Sequence, residues 1–145
     1  DLQAVDRLAA NLKGSGMNIL PLCVDLAHPT PPAGWENRES ASFLDRCAGH
    51  FDMVMMLAVI HHLLLRGQVP LGQIASLCSR LTTQHLSIEW VPPTDSKFKE
   101  LLRGREVIYA HINEAAFRNA FAAYFTIAQE TTLANGRILF HFARA

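Results

Sequence analysis

Two histidines stand side by side at His61-His62, just after an apolar run that ends near Ala58. Imidazole changes charge close to neutral pH and serves as a general base. Neighbouring helix residues point about 100° apart, so only one of the pair can face a given ligand. One of them fits a substrate pocket as base while the other caps a helix or meets solvent. No third ligand stands at useful spacing for a metal pair. Asp25 closes a second apolar stretch, Ile19 to Val24. A carboxylate there either contacts a ligand or caps a loop. Glu89 sits in a third apolar stretch, and a buried carboxylate needs a partner; Arg80, Arg105 or a substrate amine can supply it. Asp95 follows Pro92-Pro93 and precedes Lys97, Lys99 and Arg103, a pattern that reads as a helix cap. Cys23, Cys47 and Cys78 are odd in number and widely spaced, without a Cys-x-x-Cys pair. They read as reduced core thiols rather than a zinc site.

These groups need a scaffold, and the periodicities predict one. Leu2, Val5, Leu8, Ala9 and Leu12 recur at helical spacing behind Asp1 as N-cap, with Gly14 and Gly16 as the stop. Such a helix needs a sheet to cover. Ile19–Val24 reads as a short buried strand, with Pro21 restricting it to an edge or strand start. Three prolines and a glycine between His28 and Trp35 make a loop, followed by a short helix around Ala41 to Cys47. Phe51 to Ala58 is apolar almost without alternation, as in a strand covered on both faces. Pro70 opens a helix whose buried stripe is Leu71, Ile74, Leu77, Cys78 and Leu81. His85 to Val91 is a strand, Ser96 to Arg103 a helix, and Asn113 the N-cap of a helix burying Ala116, Phe117, Ala120, Phe121 and Tyr124. Phe125 to Leu133 and Arg137 to Phe142 are strands joined through Asn135-Gly136, a strong hairpin turn. Strands alternating with helices predict an α/β fold with a mostly parallel sheet flanked by helices and a C-terminal antiparallel hairpin.

Composition narrows the class. The 145 residues suffice for one domain, half of them are hydrophobic, and this excludes a disordered tail. The longest apolar run, Met53 to Ile60, is too short for a membrane span, and no secretory signal is visible; the chain reads as soluble and cytoplasmic. Thirteen basic residues balance thirteen acidic ones, which disfavours a nucleic acid partner held through its phosphates.

The stretch Phe51-Asp52-Met53-Val54-Met55-Met56-Leu57-Ala58-Val59-Ile60-His61-His62-Leu63 resembles the fourth strand of class I S-adenosylmethionine-dependent methyltransferases, where Phe-Asp, an apolar strand and Ala-x-x-His-His-Leu are frequent. Ile88-Glu89-Trp90-Val91-Pro92-Pro93 resembles that family's fifth strand and its exit, and the Asn135-Gly136 hairpin its last two strands. Asp1-Leu2-Gln3-Ala4-Val5 resembles the start of the helix after the second strand, and Asp25-Leu26 the acidic position after the third. The likeness extends over essentially the whole chain, read as a partial methyltransferase domain, residues 1–145. The departure is the acidic-Gly-x-Gly loop of the first strand. Gly14-Ser15-Gly16 follows a helix and fails the structural context.

The resemblance implies a Rossmann-like fold lacking its N-terminal glycine-rich strand and loop, and S-adenosyl-L-methionine as cofactor. It places Asp1, Asp25, Leu26, Leu57 and Ala58 in the cofactor site: Asp25 toward the adenine amino group, Leu26 with its backbone N–H, Leu57 and Ala58 against the adenosine or donor methyl. By residue type alone, Leu57 and Ala58 are core packing. His61 or His62 becomes the candidate catalytic base. The acceptor is expected to be a small molecule or a protein side chain, because Leu57-Ala58-Val59-Ile60 stands where amine-methylating nucleic acid enzymes carry Asn/Asp-Pro-Pro-Tyr. Without the first strand an exposed strand edge is expected, and with it a homodimer or aggregate. The alternative is a non-catalytic methyltransferase-like interaction module or an inactive fragment.

Overall fold

The computed structural model describes residues 1–145. In chain order it contains α1 (Leu2–Leu12), α2 (Phe43–Cys47), β1 (Phe51–Met56), α3 (Ile60–Leu65), α4 (Leu71–Leu81), β2 (Thr82–Trp90), α5 (Ser96–Leu102), α6 (Glu114–Ala122), β3 (Phe125–Thr132) and β4 (Ile138–Arg144). The four strands form one sheet in the order β1-β2-β4-β3. β1 and β2 run parallel, with Met53 opposite His85 and Met56 opposite Ile88. β2 pairs antiparallel with β4 from His85–Ala143 to Trp90–Ile138, and β4 pairs antiparallel with β3.

Period-two alternation decides which face of the sheet is buried. Leu86, Ile88 and Trp90 of β2 stand beside Phe142, Phe140 and Ile138 of β4 and point under the helices. α4 sets Leu71, Ile74, Ala75, Cys78 and Leu81 against them, and α6 adds Phe117 and Phe121. The Phe117 ring lies 5.0 Å from Trp90, 5.0 Å from Phe140 and 4.5 Å from Phe121, between centroids. Fully burying each such ring contributes about 1.5–3 kcal/mol, which makes this aromatic cluster the anchor of the sheet–helix interface.

Helix ends follow the predicted chemistry. Asp1 accepts from the Gln3 N–H at 3.0 Å, Asp95 from Lys97 at 2.7 Å, and Asn113 from Ala116 at 2.9 Å. Each such cap is worth about 1 kcal/mol. The β3–β4 hairpin closes as expected: Gly136 takes φ +79°, which a side chain would resist, and its N–H donates to the Leu133 carbonyl.

Three expectations require correction. Residues 19–24 form no strand, because nothing pairs with them: Pro21 offers no N–H, and Leu20 and Leu22 are exposed. The parallel part of the sheet is therefore reduced to β1 and β2, and β1 becomes an edge. β1 is not covered on both faces; Met56 is buried, while Met53 is 40% and Met55 60% exposed. The apolar stripe of α1 likewise stays open, with none of its residues buried. An exposed strand edge was expected, and β1 provides it. Two residue-level corrections follow the same logic: Cys23 is exposed rather than a core thiol, and Tyr124, just past the end of α6, lies at the surface. No helix is long and apolar enough to cross a membrane.

Candidate functional site

Open sheets with parallel strands take ligands beyond the carboxyl ends of those strands, where the connections diverge. Here that place is the exit of β1 and β2. Ala58, between β1 and α3, holds φ +54°, a left-handed conformation that costs a residue with a Cβ about 1 kcal/mol or more. The turn reverses the chain so that α3 starts at once and presents His61 and His62 beside the sheet end.

Two clefts open at this point and share His62. The larger, about 510 Å³, runs between α3 and the loop around Asp25; Asp1, Asp25, Leu26, Val59, His62 and Gly67 line it. Gly67 sets its width: a Cβ there would come within 2.9 Å of both the Ala27 Cβ and the Leu63 carbonyl, so only glycine lets the loop approach the end of α3 this closely. Leu26 and Ala27 pack on the core and hold the loop in place although it is not a strand. The Asp25 carboxylate accepts from the Ala27 N–H at 2.9 Å and faces His28 Nδ1 at 3.3 Å. The Ala27 bond, followed by His28, holds its carboxyl below the usual range, so Asp25 is an anion. The Leu26 N–H makes no hydrogen bond within the chain.

The smaller cleft, about 350 Å³, lies between α3, α5 and the start of β4 and includes Ala58, His61, His62, Lys97, Glu100 and Arg137. Arg137 organises it. Its Nε donates to Asp95 Oδ2 at 2.8 Å and its Nη1 to Glu89 Oε1 at 3.0 Å, joining the end of β2, the cap of α5 and the hairpin. All three side chains are at most 15% exposed. The hydrogen bond from Arg137 pulls the Asp95 carboxyl down, and bonds from both carboxylates raise Arg137. His61 is 2% exposed, and its Nδ1 has no hydrogen-bond partner. Burial, helped by the charges of His62 and Arg137, pushes its pKa down to about 4, so the ring is neutral at physiological pH. The His61 and His62 rings lie 4.2 Å apart between centroids, one buried and the other exposed, yet both line the smaller cleft, so the expectation that only one of them can face a given ligand does not hold.

Asp1, Asp25, Leu26 and His62 thus meet in one cleft, and Ala58, His61 and His62 in the other. Leu57 lines neither and is 50% exposed. Asp1 also serves as the cap of α1. The partner of Glu89 is Arg137, not Arg80 or Arg105. Arg80 reaches Asp45, and Arg105 donates to the carbonyls of Leu101 and Leu102 while stacking on Tyr109. Arg137 and Gly67 escaped the sequence reading. Arg137 had one usable signal, its position just after the hairpin turn, two residues before the Leu139 that faces Glu89 across the ladder.

No family model matches the chain. In sequence it is similar to nodulation protein NoeA of Rhizobium meliloti (strain 1021), 34% identical over 122 residues, which cover 84% of this chain and 25% of NoeA. The chain spans about a quarter of the length of that relative. Among solved structures it is similar to magnesium protoporphyrin IX methyltransferase (ChlM) from Synechocystis PCC 6803 with bound SAH. That alignment has a TM-score of 0.45 and 18% identity and covers 70% of this chain and 48% of the other.

Proposed function

We propose that this chain forms part of an S-adenosylmethionine-dependent methyltransferase, with the larger cleft as the cofactor site and the smaller as the acceptor site. The observation that carries the reading is the convergence of Asp1, Asp25, Leu26 and His62, distant in sequence, on one cleft at the carboxyl end of β1. The cleft suits the group in size, since small-molecule sites run to about 300–1,000 Å³. It suits it in chemistry too: the anionic Asp25 can accept from an adenine amino group, and the unengaged Leu26 N–H can donate to the neighbouring ring nitrogen. When bound, S-adenosylmethionine supplies an electrophilic methyl group on a sulfonium that leaves readily.

The chain's own contribution is then mainly placement. Val59 and Leu63 give the larger cleft an apolar wall, and Ala58 turns the backbone where the clefts meet. His61, neutral at physiological pH, can exchange a hydrogen bond with an acceptor beside it. His62 stands at the boundary of both clefts. The acceptor is a small molecule or a protein side chain, and a nucleic acid is disfavoured by the zero net charge.

Calorimetric titration of the chain with S-adenosylhomocysteine tests this. Binding that weakens about tenfold in Asp25→Asn, the loss of one charge-assisted hydrogen bond, is expected. Absence of binding would favour the second reading, a non-catalytic interaction module. The open apolar surface of β1 and α1, with Met53, Met55 and Leu2 exposed, is the observation on that side.

A further inference from the structure

The smaller cleft has a chemical character that narrows what it can take. Of its seven lining residues only Ala58 and Leu101 are apolar, so it offers no flat hydrophobic wall to an aromatic ring. Its two cations are already engaged: Arg137 by Glu89 and Asp95, and Lys97 by Glu100 at 2.9 Å. Three carboxylates surround those two cations. An anionic ligand would meet a surplus of negative charge. An amine would compete with Arg137 for Glu89 and Asp95, an exchange that leaves a guanidinium buried without its partners.

What remains unsatisfied is hydrogen bonding without charge. His61 is almost wholly buried, yet none of its ring nitrogens has a partner in the chain, and Nδ1 is fully enclosed. A neutral imidazole has one donor and one acceptor. Arg137 uses two of its five N–H groups on the carboxylates. Each fixed charge of the cleft is thus paired, Glu89 and Asp95 with Arg137 and Glu100 with Lys97, while Arg137 and the His61 ring keep hydrogen-bonding capacity free. From this we infer that the smaller cleft binds an uncharged, hydroxyl-rich molecule, one of whose hydroxyls bonds to the His61 ring. The inference rests on the acceptor-site reading of this cleft and specifies the class of acceptor: an alcohol of carbohydrate type rather than a carboxylate, a phosphate or an amine. A hydroxyl both donates and accepts, so it can pair with His61 Nε2 in either tautomer, which neither a carboxylate nor an ammonium can do, whereas the enclosed Nδ1 stays out of a ligand's reach.

The test uses three probes with one skeleton and different charge: methyl β-glucoside, glucose 6-phosphate and glucosamine. Each is titrated into the uniformly ¹⁵N-labelled chain, and the His61 ring nitrogens, identified by their loss in His61→Leu, are followed by NMR. The glucoside is expected to shift the His61 signals saturably, and the charged analogues to shift them at least about tenfold more weakly at equal concentration. His61→Asn, which keeps a polar group of smaller reach, serves as the second variant. It should weaken glucoside binding, read from the Arg137 Nε signal, by about tenfold, the value of one buried hydrogen bond. No response of His61 to the glucoside, or a response to the phosphate or the amine that equals it, overturns the inference. The Leu26 amide is recorded in the same samples with S-adenosylhomocysteine. Its response scores the cofactor site independently, so failure of either reading is visible without the other.

Discussion

The buried imidazole of His61 makes acid sensitivity a direct test of the site geometry. The groups facing it are His62 on its own helix, Glu89 at the end of β2, Asp95 and Lys97 at the start of α5, Glu100 one turn later, and Arg137 at the start of β4. Burial dominates, and the pKa falls from its ordinary 6.5 to about 4. The unfolded chain therefore binds a proton in the window from about 6.5 to about 4 that the native state refuses. Stability rises with pH through this window and is lost as the pH falls through it. At 1.36 kcal/mol per pH unit, the loss from this one group by pH 4.5 is about 2–3 kcal/mol. His61→Leu removes the titrating group and also the unpartnered Nδ1, so at pH 7 the variant should equal or exceed the wild type in stability. Urea unfolding at pH 7.0 and 4.5 reads the difference. The advantage of the variant should widen by about 2–3 kcal/mol at the lower pH, a shift of roughly 1–2 M in relative midpoint. A gap that stays constant between the two values refutes the burial and charge environment described for His61.

Three other perturbations probe the same architecture. Arg137→Met leaves Glu89 and Asp95 facing each other without a cation and should cost about 3 kcal/mol at pH 7. Asp95 has a depressed pKa, so the clamp's contribution is present above the ordinary carboxylate value and fades as the pH falls through the lowered one. The deficit of the variant in urea unfolding should therefore shrink below about pH 4. Burial pushes the Cys78 thiol up to about 12, whereas Cys23 is exposed; an aromatic disulfide reagent should modify Cys23 in the native protein and Cys78 only on unfolding. We propose that the free edge of β1 supports self-association. Met55→Lys should then reduce the weight-average mass in sedimentation without lowering stability by more than about 0.5 kcal/mol, because the side chain is mostly exposed.

How much of this was legible in the sequence depended on whether the signal was local. The caps at Asp1, Asp95 and Asn113 and the turn at Asn135-Gly136 are decided within four residues of chain, and all formed as read. Stripes such as Leu71, Ile74 and Cys78 report a helix face wherever the helix lies, and these residues are buried in α4. Ile19 to Val24 failed because a strand is a pairing, not a composition. Its β-like residues have no ladder to join, and Ile19, Leu20 and Leu22 stay exposed. Arg137 was missed for a related reason. The need of Glu89 for a cation was plain, but which arginine meets it depends on the register of β2 against β4, and that register is fixed by aromatic packing on the opposite face.

The site joins these two kinds of information. Ala58 could be placed at the end of a strand from its neighbours, but not its left-handed backbone, and that turn sends one histidine into the core and the other to solvent. Once α3 starts there, the two histidines no longer compete for one role. His62 borders both clefts and keeps contact with water, whereas His61 loses its water and, through burial first and the charges of His62 and Arg137 after it, its own charge. The same arginine, close by, binds Glu89 and holds the Asp95 carboxyl below its usual range. A cleft whose fixed charges are all paired and whose ring is neutral selects ligands chiefly by hydrogen-bond pattern. Discrimination there should therefore be nearly independent of ionic strength, whereas contacts to the exposed Asp25 carboxylate should weaken as salt screens them. That contrast separates the two clefts in a single salt titration, with binding read at His61 for one and at the Leu26 amide for the other.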